Sequence, residues 1–469
     1  MHEILKSISE IISFLNGYLW GTPMLILLFG THLFLTFKLR FIQRYTWTAI
    51  KISISKDKEG DGDVSQFGAL STALAATIGT GNIVGVATAV AAGGPGAVLW
   101  MWLTGVFGIA TKYSEALLAV KYRVKTSDGM MLGGPMYTLE NGLKMKWLAI
   151  IFSIFTAIAA FGIGNMVQAN SISSLLNETC HVSPYISGVI MTIVTAMVIL
   201  GGIKSISKFC EYLVPFMAFF YVLGCIIILG INFNFIIPAI TLIIKSAFSL
   251  EAVGGGLMGT GVLMAARFGI SRGLFSNESG LGSAPIVAAA AQTKNPVRQA
   301  LVSASGTFWD TVVVCAMTGL VIVTSILKDP ELINLKGASL TKMAFANIPY
   351  VGPIVLTVGL LTFVFSTILG WSYYGERAIE YLFGKPAIKI YRYLWVIAVL
   401  VGSVISLPLV WDFADMANAL MAIPNLVALL ALNGIVVAET KKYLWDDNLD
   451  NSDDECDDAE KIPEPEAIT

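Results

Sequence analysis

The sequence predicts an all-α membrane protein with eleven transmembrane helices, and composition is the first reason. Of its 469 residues, 55% are hydrophobic and only 13% are charged, whereas soluble proteins carry roughly 25% charged residues. Apolar runs recur along the whole chain, and each is long enough to cross a bilayer core of about 30 Å as a helix. A transmembrane β-barrel would need alternating polar residues, which runs such as 184–200 do not show.

The second reason is the number and spacing of these runs. We place the eleven helices at residues 11–37, 66–92, 97–121, 147–175, 184–202, 209–231, 252–276, 299–327, 350–376, 392–410 and 413–437. Segment 235–250 contains Pro238 and Lys245 beside an apolar face, so it is interpreted as an interfacial helix. The first run, 11–37, is too long for the core of a cleaved signal peptide.

The third reason is the distribution of Lys and Arg, which are enriched in cytoplasmic loops. In the eleven-helix arrangement one side holds only Lys6, Lys245, Lys328, Lys336 and Lys342. The other side holds the basic residues of loops 38–65 and 121–146, and Lys204, Lys208, Arg267, Arg272, Lys294, Arg298, Arg377, Lys385, Lys389, Arg392, Lys441 and Lys442. The chain is therefore predicted to lie in the cell membrane with its N-terminus outside and its C-terminus in the cytoplasm.

Four segments follow from this arrangement. Residues 1–65 supply the first helix and a basic loop, 66–232 and 233–437 form two halves, and 438–469 form an acidic tail. Beyond Trp445 the chain holds eleven Asp and Glu residues and one Lys, which predicts a disordered cytoplasmic segment. We expect this tail to be solvated and to have no further role.

Catalytic and metal-binding motifs give little support to an enzyme. No HExxH or Walker-type motif occurs, and the three histidines do not cluster with the cysteines at metal-ligand spacing. The cysteines, at 180, 210, 225, 315 and 456, predict no disulfide framework. We therefore expect neither enzymatic activity nor an organic cofactor. We expect the chain to contact the lipid bilayer and no nucleic acid.

The second predicted helix contains an interruption near its middle, at Gly79, Thr80, Gly81 and Asn82. Glycine costs about 1 kcal/mol relative to alanine within a helix, so two glycines in three residues favour unwinding. Unwound backbone at this depth must line a cavity or be buried in protein. Free N–H groups at the gap suit a carboxylate, and free carbonyls suit Na⁺. The alternative is that the glycines only allow close helix packing.

A second glycine-rich helix, 252–276, follows five helices later and includes the run 253–261. Helices two to six and seven to eleven then form two halves that each begin with a breakable helix. Because each half has an odd number of helices, the two halves must be inverted relative to one another in the membrane. Such an inverted repeat is typical of secondary transporters that bind their substrate near the midplane.

Four motifs resemble the alanine or glycine:cation symporter family, also called sodium:alanine symporters. They are Gly-Thr-Gly-Asn at 79–82, Gly-Gly-Pro-Met-Tyr at 133–137, Arg-Gly-Leu-Phe-Ser-Asn-Glu-Ser-Gly-Leu-Gly-Ser-Ala at 272–284 and Phe-Trp-Asp at 308–310. The similarity covers roughly 12–437 and departs from the family pattern at Ser279, where alanine is expected. The resemblance implies a leucine-transporter-type five-plus-five inverted repeat after one extra N-terminal helix. It also implies symport of alanine or glycine with Na⁺.

The Gly-Thr-Gly-Asn run is also similar to the first broken helix of the sodium:neurotransmitter symporters, which share that fold. Carried over by position, this resemblance implies that the amides of Gly79, Thr80 and Gly81, next to Asn82, bind the substrate carboxylate.

The same resemblance implies a Na⁺ site. The carbonyls of Ala75 and Ile78 would face the ion, and Ser366 and Thr367 would supply further oxygen ligands. As an alternative, the two hydroxyls bond their own i−4 carbonyls, as is common for Ser and Thr in membrane helices.

Further pocket residues are predicted from shared helix faces. Trp371 follows Thr367 by four residues and would close the side-chain end of the site, unless it is an interfacial belt tryptophan. Asn165 and Gln168 are three residues apart and would reach the substrate together with Phe161, unless the two amides bond neighbouring helices.

One acid, Asp310, lies well inside a predicted span, where a buried carboxylate marks a functional site. It is predicted to help bind a second cation, or to pair with Arg267 or Arg272 as an inner gate. Glu278 lies in the same signature block and is a candidate for that network.

Three rival functions remain at this point. A channel would require a ring of ligands, usually from several subunits, whereas two inverted halves occupy this one chain. A proton-coupled permease of the same fold is the closer rival, although the Ser366–Thr367 pair favours Na⁺ over a proton. A membrane enzyme is the third rival and has no catalytic cluster in its favour.

Overall fold

The computed structural model describes residues 2–55, 60–249, 261–335, 337–346, 349–405 and 407–451, which are mainly helical. The helices of the first part are α1 (His2–Leu19), α2 (Thr22–Lys38), α3 (Thr46–Ser53), α4 (Gln66–Thr77), α5 (Val86–Gly93), α6 (Ala97–Lys121), α7 (Pro135–Tyr137), α8 (Lys146–Ala159), α9 (Val167–Cys180), α10 (Pro184–Ile199) and α11 (Gly202–Ile231).

The second part contains α12 (Ile236–Phe248), α13 (Val262–Asn277), α14 (Pro285–Ala288), α15 (Pro296–Thr307), α16 (Ala316–Lys328), α17 (Gly337–Ala346), α18 (Val351–Phe383), α19 (Pro386–Val404), α20 (Leu407–Ala431) and α21 (Asn433–Thr440). Segments of π-helix lie at Gly81–Gly85, Thr138–Gly142, Ala160–Met166, Phe308–Cys315 and Lys441–Trp445. Turns of 3₁₀-helix lie at Ile42–Tyr45, Phe233–Phe235 and Pro330–Asn334, and β1 (Val124–Lys125) pairs with β2 (Met131–Leu132).

Among the described residues, length and hydropathy identify five helices that could each cross a membrane. They are Lys146–Cys180, Gly202–Ile231, Pro296–Lys328, Val351–Phe383 and Pro386–Val404. Three bent pairs, Glu10–Leu19 with Thr22–Lys38, Gln66–Thr77 with Gly81–Gly93 and Asp415–Ala431 with Asn433–Trp445, raise the number to eight. The other three predicted spans correspond to α6, α10 and α13, so the count of eleven stays a prediction.

The break in the second half lies at the end of α13, a position that the glycine pattern left open. Helix α13 ends at Asn277, and Glu278, Gly280 and Gly282 then have positive φ angles of 58°, 92° and 82°. The short helix α14 follows at Pro285. The signature block is therefore itself the break, and the glycine run at 253–261 of the helix that was predicted to be breakable lies largely outside the described residues.

The position of α13 places two arginines at the end of the molecule opposite to the one predicted. A Cβ on Gly93 would lie 3.1 Å from the Met264 carbonyl oxygen, and one on Gly269 would lie 2.4 Å from that of Ala97. The first half of α13 is thus level with the turn between α5 and α6. By chain connectivity that turn is opposite to loops 38–65 and 121–146. The assignment of Arg267 and Arg272 to the cytoplasmic side is therefore wrong.

Small residues on α6 bring this helix close to the second break. A Cβ on Gly105 would lie 2.6 Å from Thr311 Cγ2, and one on Gly108 would lie 3.0 Å from Ser279 Oγ. Glycine permits such approaches between membrane helices, where tight packing replaces the hydrophobic effect. The glycine face of α6 therefore forms one wall of the central region.

The loops that are predicted to be cytoplasmic carry ion pairs. Lys385 Nζ lies 2.8 Å from Asp128 Oδ1 in the loop between β1 and β2, and its hydrogen bond holds the pKa of that carboxyl at about 2. A second pair joins Lys125 to Asp61 at 3.2 Å. These contacts connect three loops at one end of the protein.

The C-terminal helix is longer than predicted. Helical structure continues to Trp445, so the acidic tail does not begin at 438. Leu449 and Asn451 are hydrogen-bonded to an earlier part of the chain, because Asn295 Nδ2 donates to their carbonyls at 2.9 and 3.0 Å. Residues 452–469, which hold most of the predicted tail, lie outside the described residues.

Candidate functional site

The first broken helix is confirmed. Ser65 caps α4 by accepting a hydrogen bond of 2.9 Å from the Gly68 amide, and α4 ends at Thr77. Ile78 then takes an extended ψ angle of 93°, and the following half-helix is bent by 51° from the first. The break is buried, with Ile78, Thr80 and Asn82 each 0% exposed.

The break diverts the hydrogen bonds that would continue the helix. The Gly79 amide, which would bond the Ala75 carbonyl in a continuous helix, donates instead to Asn82 Oδ1 at 2.8 Å. The Asn82 amide donates to Gly79 rather than to the Ile78 carbonyl. The carbonyls of Ala75 and Ile78 therefore lose their i+4 amide partners, as an oxygen-based cation site requires.

Thr367 reaches this break from α18. Its Oγ1 lies 3.3 Å from the Ile78 carbonyl oxygen and 2.9 Å from that of Phe363. Ser366 instead donates to Phe363 at 2.8 Å and lies 3.4 Å from Met217 Sδ on α11. Both hydroxyls thus bond a carbonyl of their own helix, as the alternative interpretation stated. The Thr367 hydroxyl also contacts the Ile78 carbonyl at the break.

Gln168 is the predicted pocket residue of the fourth span that reaches the break. Its Oε1 accepts a hydrogen bond of 3.2 Å from the Thr80 amide, while its Nε2 donates to the Ile163 carbonyl at 2.9 Å. A Cβ on Gly79 would lie 2.5 Å from Thr367 Oγ1 and 3.2 Å from Gln168 Oε1. The glycines therefore both break the helix and allow close packing, so packing is not their only effect.

Phe161 and Asn165, which were predicted to reach the substrate, contact α19. The Phe161 ring packs on Tyr391 and Trp395 of α19, with centroids 5.0 and 5.5 Å apart, and Asn165 Nδ2 donates to the Trp395 carbonyl at 2.9 Å. Because the π-helical segment Ala160–Met166 adds a residue to the turn, Asn165 and Gln168 do not share a face. Asn165 makes the interhelical bond that was the alternative.

Asp310 lies in a separate polar cluster next to the first break. It is 0% exposed and accepts hydrogen bonds from Asn82 Nδ2 at 2.7 Å, Ser276 Oγ at 3.0 Å and Thr311 Oγ1 at 2.6 Å. Cys315 Sγ lies 3.3 Å from both Asn82 Nδ2 and Ser276 Oγ. The sequence interpretation missed Ser276, Thr311 and Cys315, although the last two lie in the same span as the acid.

The predicted pairing of Asp310 with an arginine is wrong for this structure. Arg272 binds Asp415 of α20 through two hydrogen bonds of 3.0 and 2.8 Å. Arg267 lies over the ring of Phe268, 5.8 Å from its centroid. Since both arginines lie at the end of the molecule opposite to loops 38–65 and 121–146, they do not form a gate on the side of those loops.

Trp371 is in the protein interior. Its indole is 0% exposed, which excludes a position in an interfacial belt, and its Nε1 donates to Glu278 Oε1 at 2.7 Å. Ser283 donates to the other oxygen of Glu278. A Cβ on Gly164 would lie 2.1 Å from Trp371 Cβ, so this tryptophan also packs directly on the fourth span.

Sequence reasoning overlooked a further buried acid, Glu115 in α6, and its neighbour Lys112. Each is 3% exposed. Glu115 Oε1 accepts hydrogen bonds from the amides of Gly280 and Gly282 and from Asn425 Nδ2, at 2.9, 3.1 and 2.6 Å. The signal in the sequence was a pair of charged residues, three positions apart, within a predicted span. Because the pair lies near the end of that span, it is also compatible with the membrane boundary.

The chain is similar to known proteins over nearly its whole length. A family model described as sodium:alanine symporter family matches residues 5–457. The chain is 53% identical over 442 residues to a sodium/alanine symporter of Methanococcus maripaludis, with 92% of this chain and 97% of that protein covered. It is 51% identical to an uncharacterized transporter of Haemophilus influenzae, with 93% and 96% covered.

Two solved structures share the fold. The structure of MhsT in complex with L-phenylalanine has a TM-score of 0.56 at 16% identity and covers 84% of this chain and 93% of its own. A Na⁺-coupled sialic acid symporter in a substrate-bound outward-open state has a TM-score of 0.52 at 11% identity, with 89% and 84% covered. The expected leucine-transporter-type fold is confirmed at this coarse level, while the inverted repeat stays a prediction.

Proposed function

The chain belongs to the sodium:alanine symporter family, and we propose that it carries alanine or glycine into the cell together with Na⁺. Membership makes it a multi-pass membrane protein of a family of sodium-coupled amino-acid symporters rather than of a family of enzymes. That the substrate is a small amino acid goes beyond family membership and is part of the proposal. A sodium/alanine symporter at 53% identity supports alanine.

One observation carries the coupling to Na⁺. Thr367 Oγ1 and the Ile78 carbonyl oxygen, from helices 289 positions apart in the chain, lie 3.3 Å from one another. Both are neutral oxygen atoms, which hard cations prefer as ligands, and the Ala75 carbonyl has lost its amide partner on the same half-helix. We place the cation between α4 and α18, with Thr367 as a better ligand than Ser366.

The amino acid would bind on the other side of the same break. The amides of Gly79 and Thr80 donate to the side-chain oxygens of Asn82 and Gln168, and a carboxylate would bind these amides in the same way as those oxygens do. Gly81 extends this run, and a Cβ there would lie 3.0 Å from Ser276 Cα. We therefore assign the carboxylate to residues 79–81.

Asp310 offers a second cation position. Its carboxylate lies beside Asn82 and Ser276, directly next to the amide run, and the three donors of this cluster are all hydroxyl or amide groups. Oxygen atoms of Asn82, Ser276 and Asp310 would form a second oxygen-ligand set once the Asn82 amide rotates. This position contains the only formal charge of the two proposed cation sites.

Uptake of labelled alanine by the purified protein in proteoliposomes tests the function. We expect an inward Na⁺ gradient to drive saturable accumulation, and an inward proton gradient without Na⁺ to give none. Accumulation driven by protons alone would favour the proton-coupled permease, and a flux that does not saturate would favour a channel. Thr367→Ala serves as the site-specific control, because its loss of uptake should be overcome at high Na⁺ concentration.

A further inference from the structure

A buried lysine, Lys112 of α6, has no part in the function proposed above. Its side chain is 3% exposed, and its ammonium nitrogen makes no hydrogen bond with any residue that the structure describes. A buried charge that is neither paired nor hydrogen-bonded is strongly unfavourable. Its position therefore indicates an interaction that the hydrogen bonds of the protein do not supply.

Lys112 lies on the face of α6 that packs against the second break. Gly108, one turn earlier, is so close to this break that a Cβ would lie 3.0 Å from Ser279 Oγ. Glu115, three residues later, binds the amide of Gly280 at 2.9 Å. Because residues three and four apart share a helix face, the lysine stem begins between these two contacts, beside the break.

Three buried carboxylates lie on the elements that pack around this face of α6. Those of Glu115, Glu278 and Asp310 are 3%, 1% and 0% exposed. Glu278 precedes Ser279, which Gly108 approaches, and Asp310 precedes Thr311, which lies 2.6 Å from a Cβ on Gly105 of the same face. Glu115 Oε2 is a buried oxygen without a hydrogen-bond partner in the described structure. One tethered cation and three buried acids thus lie in the same region around the second break.

We propose that Lys112 is a coupling residue whose tethered ammonium competes with transported Na⁺ for these buried carboxylates. The inference rests on the proposed function. A lysine side chain is a compact charge on a flexible four-carbon stem, and no hydrogen bond to a described residue holds this one in place. The ammonium can therefore move towards Asp310 and Glu278 as Na⁺ leaves and away from them as Na⁺ binds, which weakens Na⁺ binding and speeds its release.

The experiment is equilibrium binding of ²²Na⁺ to the purified protein in lipid nanodiscs. Lys112→Met removes the charge and keeps the length of the side chain. We expect the variant to bind Na⁺ about tenfold more tightly, with slower dissociation, because a fixed competing charge has been removed. Lys112→Arg keeps the charge and should stay within about twofold of the wild type. Lys121→Met is the matched control, since Lys121 lies on the same helix with its side chain 35% exposed and should not affect Na⁺ binding.

Unchanged or weaker Na⁺ binding by folded Lys112→Met would overturn the inference, because the lysine would then be a structural counter-ion. If size-exclusion chromatography shows that the Met variant does not fold, Lys112→Gln carries the same test with a polar neutral side chain. A wild-type protein that binds no Na⁺ would overturn the proposed function and this inference with it. Wild-type binding without a change in the neutral variants would overturn the inference alone.

Discussion

The indole Nε1 of Trp371 donates a hydrogen bond of 2.7 Å to Glu278 Oε1, so that α18 is tied to the second break. Thr367, one turn earlier on α18, contacts the carbonyl of Ile78 at the first break. A single helix therefore touches both interruptions through residues four positions apart. A change at Thr367, the proposed cation ligand, therefore has a short and direct route to the loop that contains Glu278.

The first prediction concerns the space at Gly79. Gly79→Ala would place a Cβ 2.5 Å from Thr367 Oγ1, and overpacking of this kind costs about 1–3 kcal/mol. We expect the apparent affinity for both Na⁺ and alanine to fall by about tenfold or more. Gly85→Ala is the matched control in the same broken helix, because its Cβ would have no heavy atom closer than 3.8 Å. Equal uptake by the two variants would contradict the proposed site.

The second prediction separates the two hydroxyls of α18. Thr367→Ala should raise the Na⁺ concentration for half-maximal uptake by about tenfold. The interaction of a polar group with a charge contributes about 1.5 kcal/mol to the free energy of binding. Thr367→Ser should restore most of the Na⁺ affinity. Ser366→Ala should have a smaller effect, because its hydroxyl lies against Met217. Equal Na⁺ dependence of all three variants would show that both hydroxyls only bond their own helix.

These expectations show what the sequence could and could not predict. The break at Gly79 was predictable because a low helix propensity is a local property of two glycines. The break at Glu278 was not, because it depends on positive φ angles that include a non-glycine residue with φ of 58°. The orientation of Asn165 was not predictable, because the π-helical segment Ala160–Met166 changes which residues share a helix face. The sequence of this segment has no simple pattern that predicts a π-helix.

Tertiary pairing was likewise beyond the sequence. Arg272 and Asp415 are 143 positions apart, and many acids could in principle have partnered the arginine. Asp310 was identified from the sequence as a candidate functional residue because a carboxylate within an apolar run is rare. Its donors Asn82 and Ser276 come from two other helices, which only the packing around the breaks brings together.

The third prediction concerns this Arg272–Asp415 pair. The two side chains are 13% and 16% exposed, and removing one partner of a mostly buried pair costs about 3 kcal/mol. Arg272→Met and Asp415→Asn should each lower the thermal unfolding midpoint clearly, and the double variant should lose less than the sum of the two. Lys125→Met is the control, because the Lys125–Asp61 pair is 55% and 66% exposed and such pairs contribute less than about 1 kcal/mol. Additive losses in the double variant would show that the pair is not coupled.

The fourth prediction concerns orientation in the membrane. The basic loops predict a cytoplasmic loop at Lys125 and an external one at Glu331, and both residues are exposed. In a cysteine-free background, an impermeant maleimide added to intact cells should label Glu331→Cys and spare Lys125→Cys. Permeabilised cells should label both. Labelling of Lys125→Cys in sealed cells would reverse the topology.

The last prediction connects Trp371 to substrate size. We expect Trp371→Ala to widen acceptance from alanine towards leucine and methionine, because the indole occupies volume that a longer side chain needs. Each buried methylene is worth about 0.8 kcal/mol, so leucine could gain about tenfold in affinity, while alanine should bind less well for lack of contacts. Competition of labelled alanine uptake by a panel of amino acids measures this selectivity.

Trp371→Ala also removes the donor to Glu278, and a second variant separates the two effects. Trp371→Phe keeps an aromatic ring but cannot donate to the carboxylate at 2.7 Å. It should therefore slow uptake while retaining the preference for small amino acids. If the alanine and phenylalanine variants both keep wild-type selectivity and differ only in rate, then Trp371 acts through Glu278 alone. The side-chain end of the pocket would in that case be closed by another residue.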